Sequence, residues 1–343
     1  MRIAIVNDLL LAVEGMRRVL TAAGEHEIAW VAGDGEEAVA RCQRDRPDLI
    51  LMDLIMPRMN GVEATRRIMA NSPCPIVIAT ASVHQRTAQV FEAMGAGAVD
   101  VVNTPELGGF GAGPGAQHLL AKVDTIRRLT SPTPWKNFSN RKAEDTTRIL
   151  ARKEMVVCIG SSAGGPAALA RVLGGLPVGF PAAVVVVQHV DAQFSSGLAN
   201  WLASHSRLPV RLVEEGDRPQ PGTVLLPGRD HHLVFAGPHR LGYVRAPAAN
   251  AYRPSVDVLF HSAAEHCRGL AVGVLLTGMG RDGAAGLLAM RKRGFLTIAQ
   301  DEASSAVFGM PKAAVELQAA VEVLALDDIV PRLVNVFPQN VNQ

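Results

Sequence analysis

Five apolar residues, Met155-Val156-Val157-Cys158-Ile159, lead straight into Gly160-Ser161-Ser162-Ala163-Gly164-Gly165, then into Pro166 and an alanine-rich helical pattern. A buried strand that turns through glycines into a helix exposes one side chain at a sharp corner, beside backbone NH groups and a helix N-terminus. The pattern commits this region to an α/β sheet and offers Ser162 as a nucleophile. A strand, a glycine-rich turn and a helix also open dinucleotide-binding folds, but there the middle glycine of G-x-G-x-x-G lets pyrophosphate approach the backbone. Here that position is Ser162, and the next apolar run, Ala183 to Val187, ends in Gln188-His189 where a ribose-binding fold places an acid. G-x-S-x-G matches from Gly160 to Gly164. Small residues recur in ordinary tight turns, so the serine motif needs partners elsewhere in the chain.

A chain of 343 residues is long enough for two domains, each with its own core. Hydrophobic residues at 48% and charged residues at 19% describe a globular protein, and a formal net charge of +2 gives no bulk electrostatic reason to bind nucleic acid or a membrane surface. Cys42, Cys74, Cys158 and Cys267 form no C-x-x-C pair, so neither a zinc site nor a disulfide framework is expected, and Cys158 and Cys267 read as core residues. The N-terminus enters a strand pattern at once, without a secretory leader, and no apolar stretch reaches the ~18 residues of a membrane span. No direct membrane insertion is expected, and the location expected is cytoplasmic with reduced thiols.

Short apolar runs alternate with amphipathic stretches through the first part of the chain, the signature of a parallel sheet covered by helices. The strands expected are Arg2 to Val6, Ile28 to Ala32, Leu49 to Met52, Ile76 to Thr80 and Val99 to Val102, with a glycine-rich loop from Gly108 to Gly115 and a last helix from Gln117 to Leu129. The division expected is a flavodoxin-like domain with a five-stranded parallel sheet over residues 1–125, a polar, proline-bearing linker over 126–151, and a doubly wound α/β domain over 152–343.

Asp53 closes the apolar run Leu49 to Met52, and Asp8 follows the first strand, so both fall at the carboxyl edge of the sheet, where open parallel sheets bind ligands. Two carboxylates and a backbone carbonyl suit Mg²⁺, although ordinary turn aspartates account for either residue alone. The segments Asn7-Asp8, Leu51-Met52-Asp53-Leu54-Ile55-Met56-Pro57-Arg58-Met59-Asn60-Gly61 and Ala79-Thr80-Ala81-Ser82 resemble those of response-regulator receiver domains. That resemblance implies phosphorylation of Asp53 by a cognate histidine kinase, Mg²⁺ held by Asp8, Asp53 and the carbonyl of Ile55, and Thr80 as the switch hydroxyl. Three positions depart from the pattern: Asn7 replaces an acid, Thr104 stands where a lysine precedes Pro105, and Val101 occupies the aromatic switch position.

Ser162 needs a base. His189 ends the following strand pattern, and neighbouring strands lie ~4.8 Å apart, so the two side chains fall within reach at one sheet edge. A strand-end histidine satisfied by backbone is the commoner case, and His231 and His232 are read that way. Leu275-Leu276-Thr277-Gly278-Met279-Gly280-Arg281-Asp282-Gly283-Ala284 is a further strand, glycine-rich loop and helix start, in which Asp282 orients an imidazole or merely caps the helix.

Taken together, Gly160 to Pro166, Gln188-His189-Val190 and Leu276 to Ala284 resemble the catalytic domain of the chemotaxis protein-glutamate methylesterases, the CheB family, whose architecture is a receiver followed by this domain. Val6-Asn7-Asp8 and the lysine-less Asn103-Thr104-Pro105 are most similar to members serving surface-sensing chemosensory systems. The resemblance implies a hydrolase acting on glutamate methyl esters of a methyl-accepting chemoreceptor, with Ser162 as nucleophile, His189 as general base, Asp282 holding the imidazole and the Met279 amide in the oxyanion hole. It also implies receptor glutamine deamidation, no cofactor for ester hydrolysis, and a receiver that covers the catalytic mouth until phosphorylated. Ala163 stands where many relatives carry threonine, which leaves imidazole orientation to Asp282. The alternatives are a nucleotide- or partner-binding module without esterase activity and a hydrolase of another ester.

Overall fold

The alternation of apolar and amphipathic segments folds into two parallel sheets in a computed structural model that describes residues 1–22, 24–81, 86–105, 113–130, 154–237, 240–247 and 252–337. The first sheet is built from β1 (Arg2–Val6), α1 (Leu10–Ala22), β2 (Glu27–Ala32), α2 (Gly35–Arg44), β3 (Leu49–Met52), α3 (Gly61–Asn71), β4 (Ile76–Thr80), α4 (Thr87–Gly95), β5 (Asp100–Asn103) and α5 (Pro114–Thr130). Its strands lie in the order β2-β1-β3-β4-β5, all parallel, which is the doubly wound order expected. Every residue of β3 and β4 is buried, as a sheet covered by helices on both faces requires. Asp34 and Asn60 fix the starts of α2 and α3 by accepting from amides of their first turns.

The second sheet has the elements β6 (Met155–Ser161), α6 (Gly165–Gly175), β7 (Ala183–Gln188), α7 (Ser195–Ala203), β8 (Val210–Leu212), β9 (Val224–Leu226), β10 (His232–Phe235), β11 (Leu241–Val244), α8 (Val256–His266), β12 (Leu270–Leu275), α9 (Ala284–Lys292), β13 (Leu296–Gln300), α10 (Met310–Glu316), β14 (Glu322–Leu324) and α11 (Leu326–Val336). The order is β14-β13-β12-β6-β7-β9-β8, with β10 and β11 forming a separate antiparallel hairpin. The chain leaves β6 toward β7 on one side and later returns to β12 on the other, so the strand order reverses between β6 and β12. Crevices at such a reversal are where open α/β sheets bind their ligands.

Helix α5 continues to Thr130, beyond residue 125. Residues 108–112 of the glycine-rich loop, Ser82, and 131–152 of the linker and second-domain start lie outside the described residues.

The two sheets' helices meet directly. At the crossing of α4 and α6, Gly95 lies so close to Ala167 that a Cβ on Gly95 would stand 2.8 Å from the alanine's Cβ. The Phe91 and Trp201 rings pack with centroids 5.9 Å apart across α4 and α7. Leu119, Val123 and Ile126 of α5 share an apolar cluster with Ala163 and Met279 from the two glycine-rich loops of the second domain.

Candidate active site

The serine corner is held by hydrogen bonds and by the absence of side chains. The Ser162 amide donates to the carbonyl of Thr277 at 3.0 Å, and the Thr277 hydroxyl donates to the carbonyl of Ala163 at 2.9 Å, tying the turn after β6 to the exit of β12. Gly164 has φ +76°, a left-handed conformation that glycine takes without strain. A Cβ on Gly278 would stand 2.8 Å from the Cβ of Ser162, so the two loops pack backbone against side chain. A Cβ on Gly165 would meet Gln188 Oε1 at 2.0 Å, so this glycine serves close packing. The phosphate-cradle alternative gains no support from it.

Strands β6 and β7 pair with Ser161 opposite Gln188, and the His189 amide donates to the Ser161 carbonyl at 3.0 Å. Ser162 and His189 therefore leave neighbouring strands at the same edge, as expected. The buried amide of Gln188 locks both corners: Nε2 donates to the carbonyls of Ser162 and His189, and Oε1 accepts from Ser161 Oγ at 2.7 Å. Sequence reading passed over Gln188, although an amide ending an all-apolar strand is a detectable signal.

His189 and Asp282, 93 residues apart, meet with Nε2 2.7 Å from Oδ2. Asp282 also accepts from Ser255 Oγ at 2.8 Å and from the amides of Val256 and Asp257 at 2.6 and 3.1 Å. It thus serves the start of α8 and not the helix that follows it in sequence; the cap residue of α9 is Gly283, which has no side chain to bond the first turn. In return Asp257, in the first turn of α8, accepts from the amide of Gly286 in α9 at 2.7 Å. The two helices exchange aspartates.

Burial opposes ionisation of Asp282, but the hydrogen bonds from His189, Ser255 and Val256 and the attraction of the imidazole outweigh it, and its carboxyl lies below the ordinary value. An ionised Asp282 makes His189 Nε2 the protonated nitrogen and leaves the lone pair on Nδ1. Nδ1 is buried and has no hydrogen-bond partner. Imidazole and carboxylate are therefore joined as expected, while the Ser162 hydroxyl and His189 lie at one edge without a hydrogen bond between their side chains. Ala163 presents no hydroxyl, and Tyr252, which sequence reading missed, stacks on His189 with ring centroids 3.7 Å apart.

His232 is satisfied as expected, accepting from the Ser255 amide and facing the carbonyl of Pro247, which steadies the serine that binds Asp282. Cys158 and Cys267 are buried.

Ser162 is 1% and His189 4% exposed, so the site is closed. The first domain packs against both loops: a Cβ on Gly280 would stand 3.1 Å from Leu129 of α5, and the Gly164 amide donates to the Met94 carbonyl of α4 at 2.9 Å. A cavity of about 240 Å³ remains between the domains, lined by His189, Asp191 and Tyr252 on one side and by Asp100, His118 and Lys122 on the other. His118 faces Asp191 at 3.3 Å across it, and Lys122 pairs with Asp100 at 2.7 Å.

In the first domain, the ends of β1, β3 and β4 bring Asn7, Asp53 and Thr80 together. Asp53 accepts from Asn7 Nδ2 at 3.2 Å and from the Leu54 amide at 2.7 Å, and burial raises its carboxyl above the ordinary value. The buried Thr80 hydroxyl stands beside the Asp53 carboxyl and lowers its value against burial. Asp8 is exposed, Ile55 is 47% exposed, and Val101 is fully buried in the core. The donor set, the exposed Asp8 and buried Asp53 carboxylates and a backbone carbonyl, fits Mg²⁺, with one charge fewer than a third acid would supply because Asn7 is neutral.

A serine at a strand-to-helix corner beside an imidazole–carboxylate pair, covered by an acidic-site flavodoxin-like domain, defines a receiver-linked hydrolase of the serine type. Residues 157–333 match the CheB methylesterase family and residues 3–106 match the response regulator receiver domain. The chain belongs to the CheB methylesterase family. It is 56% identical over 339 residues to protein-glutamate methylesterase/protein-glutamine glutaminase 3 of Pseudomonas savastanoi pv. phaseolicola, covering 99% of this chain and 100% of that one. The corresponding protein 1 of Bordetella avium is 54% identical, covering 100% and 99%. The crystal structure of the Thermotoga maritima CheB methylesterase catalytic domain matches at 37% identity and a TM-score of 0.52, covering 54% of this chain and all of that one.

Proposed function

We propose that this protein is a protein-glutamate methylesterase and protein-glutamine glutaminase that acts on methyl-accepting chemoreceptors and is controlled by phosphorylation of Asp53. Ser162 Oγ attacks the ester carbonyl while His189 Nδ1 takes its proton; the imidazolium is stabilised through Nε2 by Asp282. The Met279 amide receives the developing oxyanion. The imidazolium returns its proton to the leaving methoxide, methanol departs, and water deprotonated by His189 releases the free glutamate. With a glutamine substrate the same steps release ammonia.

The observation that carries this reading is the His189–Asp282 pair, which fixes one nitrogen and leaves the other as a free base beside the nucleophile's corner. A histidine kinase is the proposed source of the phosphoryl group. Asp8, Asp53 and the Ile55 carbonyl would hold Mg²⁺, which neutralises phosphoryl charge during transfer. The Thr80 hydroxyl, beside the Asp53 carboxyl, would bond the phosphoryl oxygens. Among the described residues no helix is long and apolar enough to cross a membrane. Methanol release from a methylated receptor, compared between wild type and Ser162→Ala, tests the reading. Release by wild type alone is expected, and equal release by both overturns it.

A further inference from the structure

We propose that Tyr252 is a positioning residue for the imidazole of His189, its ring face holding one nitrogen on Asp282 and the other toward Ser162. The inference rests on the esterase reading above. The His189 ring is tethered at one atom only, through Nε2 to Asp282, because Nδ1 has no partner and Ala163 offers no hydroxyl. One hydrogen bond fixes a point on the ring and leaves its plane free to turn, so a second constraint must come from packing. Tyr252 supplies it, lying over the imidazole with ring centroids 3.7 Å apart and planes 15° from parallel.

The chain itself couples the two constraints. Three residues after Tyr252, Ser255 binds Asp282 through its hydroxyl, and Val256 does so through its amide. Residues 252–256 thus set both the plane of the base and the position of the carboxylate that orients it. Burial raises the Tyr252 phenol well above its ordinary value, against the opposing pull of its contact with the Ser162 side chain, so it stays neutral. A neutral aromatic face also attracts the imidazolium more than the imidazole, an interaction that grows as the proton leaves Ser162.

The test uses the full-length chain with saturating phosphodonor, comparing wild type with Tyr252→Phe, Tyr252→Leu and Tyr252→Ala. Two rates are read: methanol release from methylated receptor, resolved into kcat and KM, and sulfonylation of Ser162 by a small sulfonyl fluoride that makes no receptor contacts. Phe keeps the ring and is expected within about twofold of wild type, whereas Leu and Ala are expected to lower kcat about tenfold with KM unchanged and to slow sulfonylation in parallel. Leu fills the space without an aromatic face, so a Leu variant matching Phe overturns the proposal. So does a Phe variant as slow as Ala, or a loss confined to KM. A wild-type chain that is sulfonylated at Ser162 yet releases no methanol overturns the substrate assignment, and the variants' sulfonylation rates still decide the role of Tyr252.

Discussion

The carbonyl of Met94 accepts a 2.9 Å hydrogen bond from the amide of Gly164, joining the last turn of a receiver helix to the residue two places after Ser162. No side chain intervenes. Gly95 then allows α4 to lie against α6, while Leu129 of α5 comes within 3.1 Å of where a Cβ on Gly280 would stand. A displacement of α4 or α5 therefore acts directly on the loops that carry Ser162 and Met279.

Removal of residues 1–150 is expected to raise methanol release above that of the unphosphorylated full-length chain, because it uncovers a site whose serine is 1% exposed. Equal or lower activity in a fragment with native near-ultraviolet circular dichroism contradicts the covering role.

Substituting Gly95→Leu in the full-length chain places a side chain where Ala167 already stands within contact distance. The misfit at the α4–α6 crossing costs about 1–3 kcal/mol of overpacking, which separation of the domains relieves. Basal esterase activity is expected to rise toward that of the truncated chain without phosphodonor.

Asp53→Asn is expected to abolish labelling by a radioactive phosphodonor, since Asp53 is the buried acid placed beside the Thr80 hydroxyl. Equal labelling of variant and wild type removes the assignment.

Asp282→Ala removes the acceptor for the imidazole and for the start of α8 together. The rate is expected to fall about 10³- to 10⁴-fold, as in other serine hydrolases that lose the orienting acid. Thermal unfolding is expected to show an additional loss of about 1 kcal/mol as the Val256 and Asp257 amides lose their acceptor, the Ser255 cap on Val258 remaining. Full activity in this variant is incompatible with the proposed triad.

Asp257 gives the stability a definite pH dependence. Burial first, and then the charge of Asp282, push its carboxyl up to about 7. Between the unfolded value of ~3.9 and that figure the native state holds a proton which the unfolded chain releases, so this contribution weakens as pH rises through the window. Asp257→Asn keeps an oxygen for the Gly286 amide and removes the charge; denaturant titrations are expected to show a flatter pH curve and greater stability at pH 8. Parallel curves for both proteins contradict the assignment. Asp282 has the opposite sign: its carboxyl is depressed, so its contribution is present above ~3.9 and is lost as pH falls below.

Elements with a local period were legible. The bounds of β1, β3 and β4 follow from apolar runs bordered by polar turns, and the G-x-S-x-G corner places Ser162 because its glycines and the flanking strand and helix are contiguous. His189 was found as the residue ending the neighbouring strand. The role of Asp282 was open, since an aspartate before a helix is chemically the same whether it caps that helix or another.

The amino-acid sequence alone determined two α/β domains, the serine corner, the strand-end histidine and the acidic edge around Asp53, because each is written in consecutive residues whose polarity and turn chemistry act locally. Only the tertiary structure decided that Asp282 serves α8 and His189, that Tyr252 lies over the imidazole, and that α4 and α5 close the site. Those contacts join segments dozens to hundreds of residues apart, and their geometry comes from how sheets and helices pack, which leaves no periodic trace in any one stretch of chain.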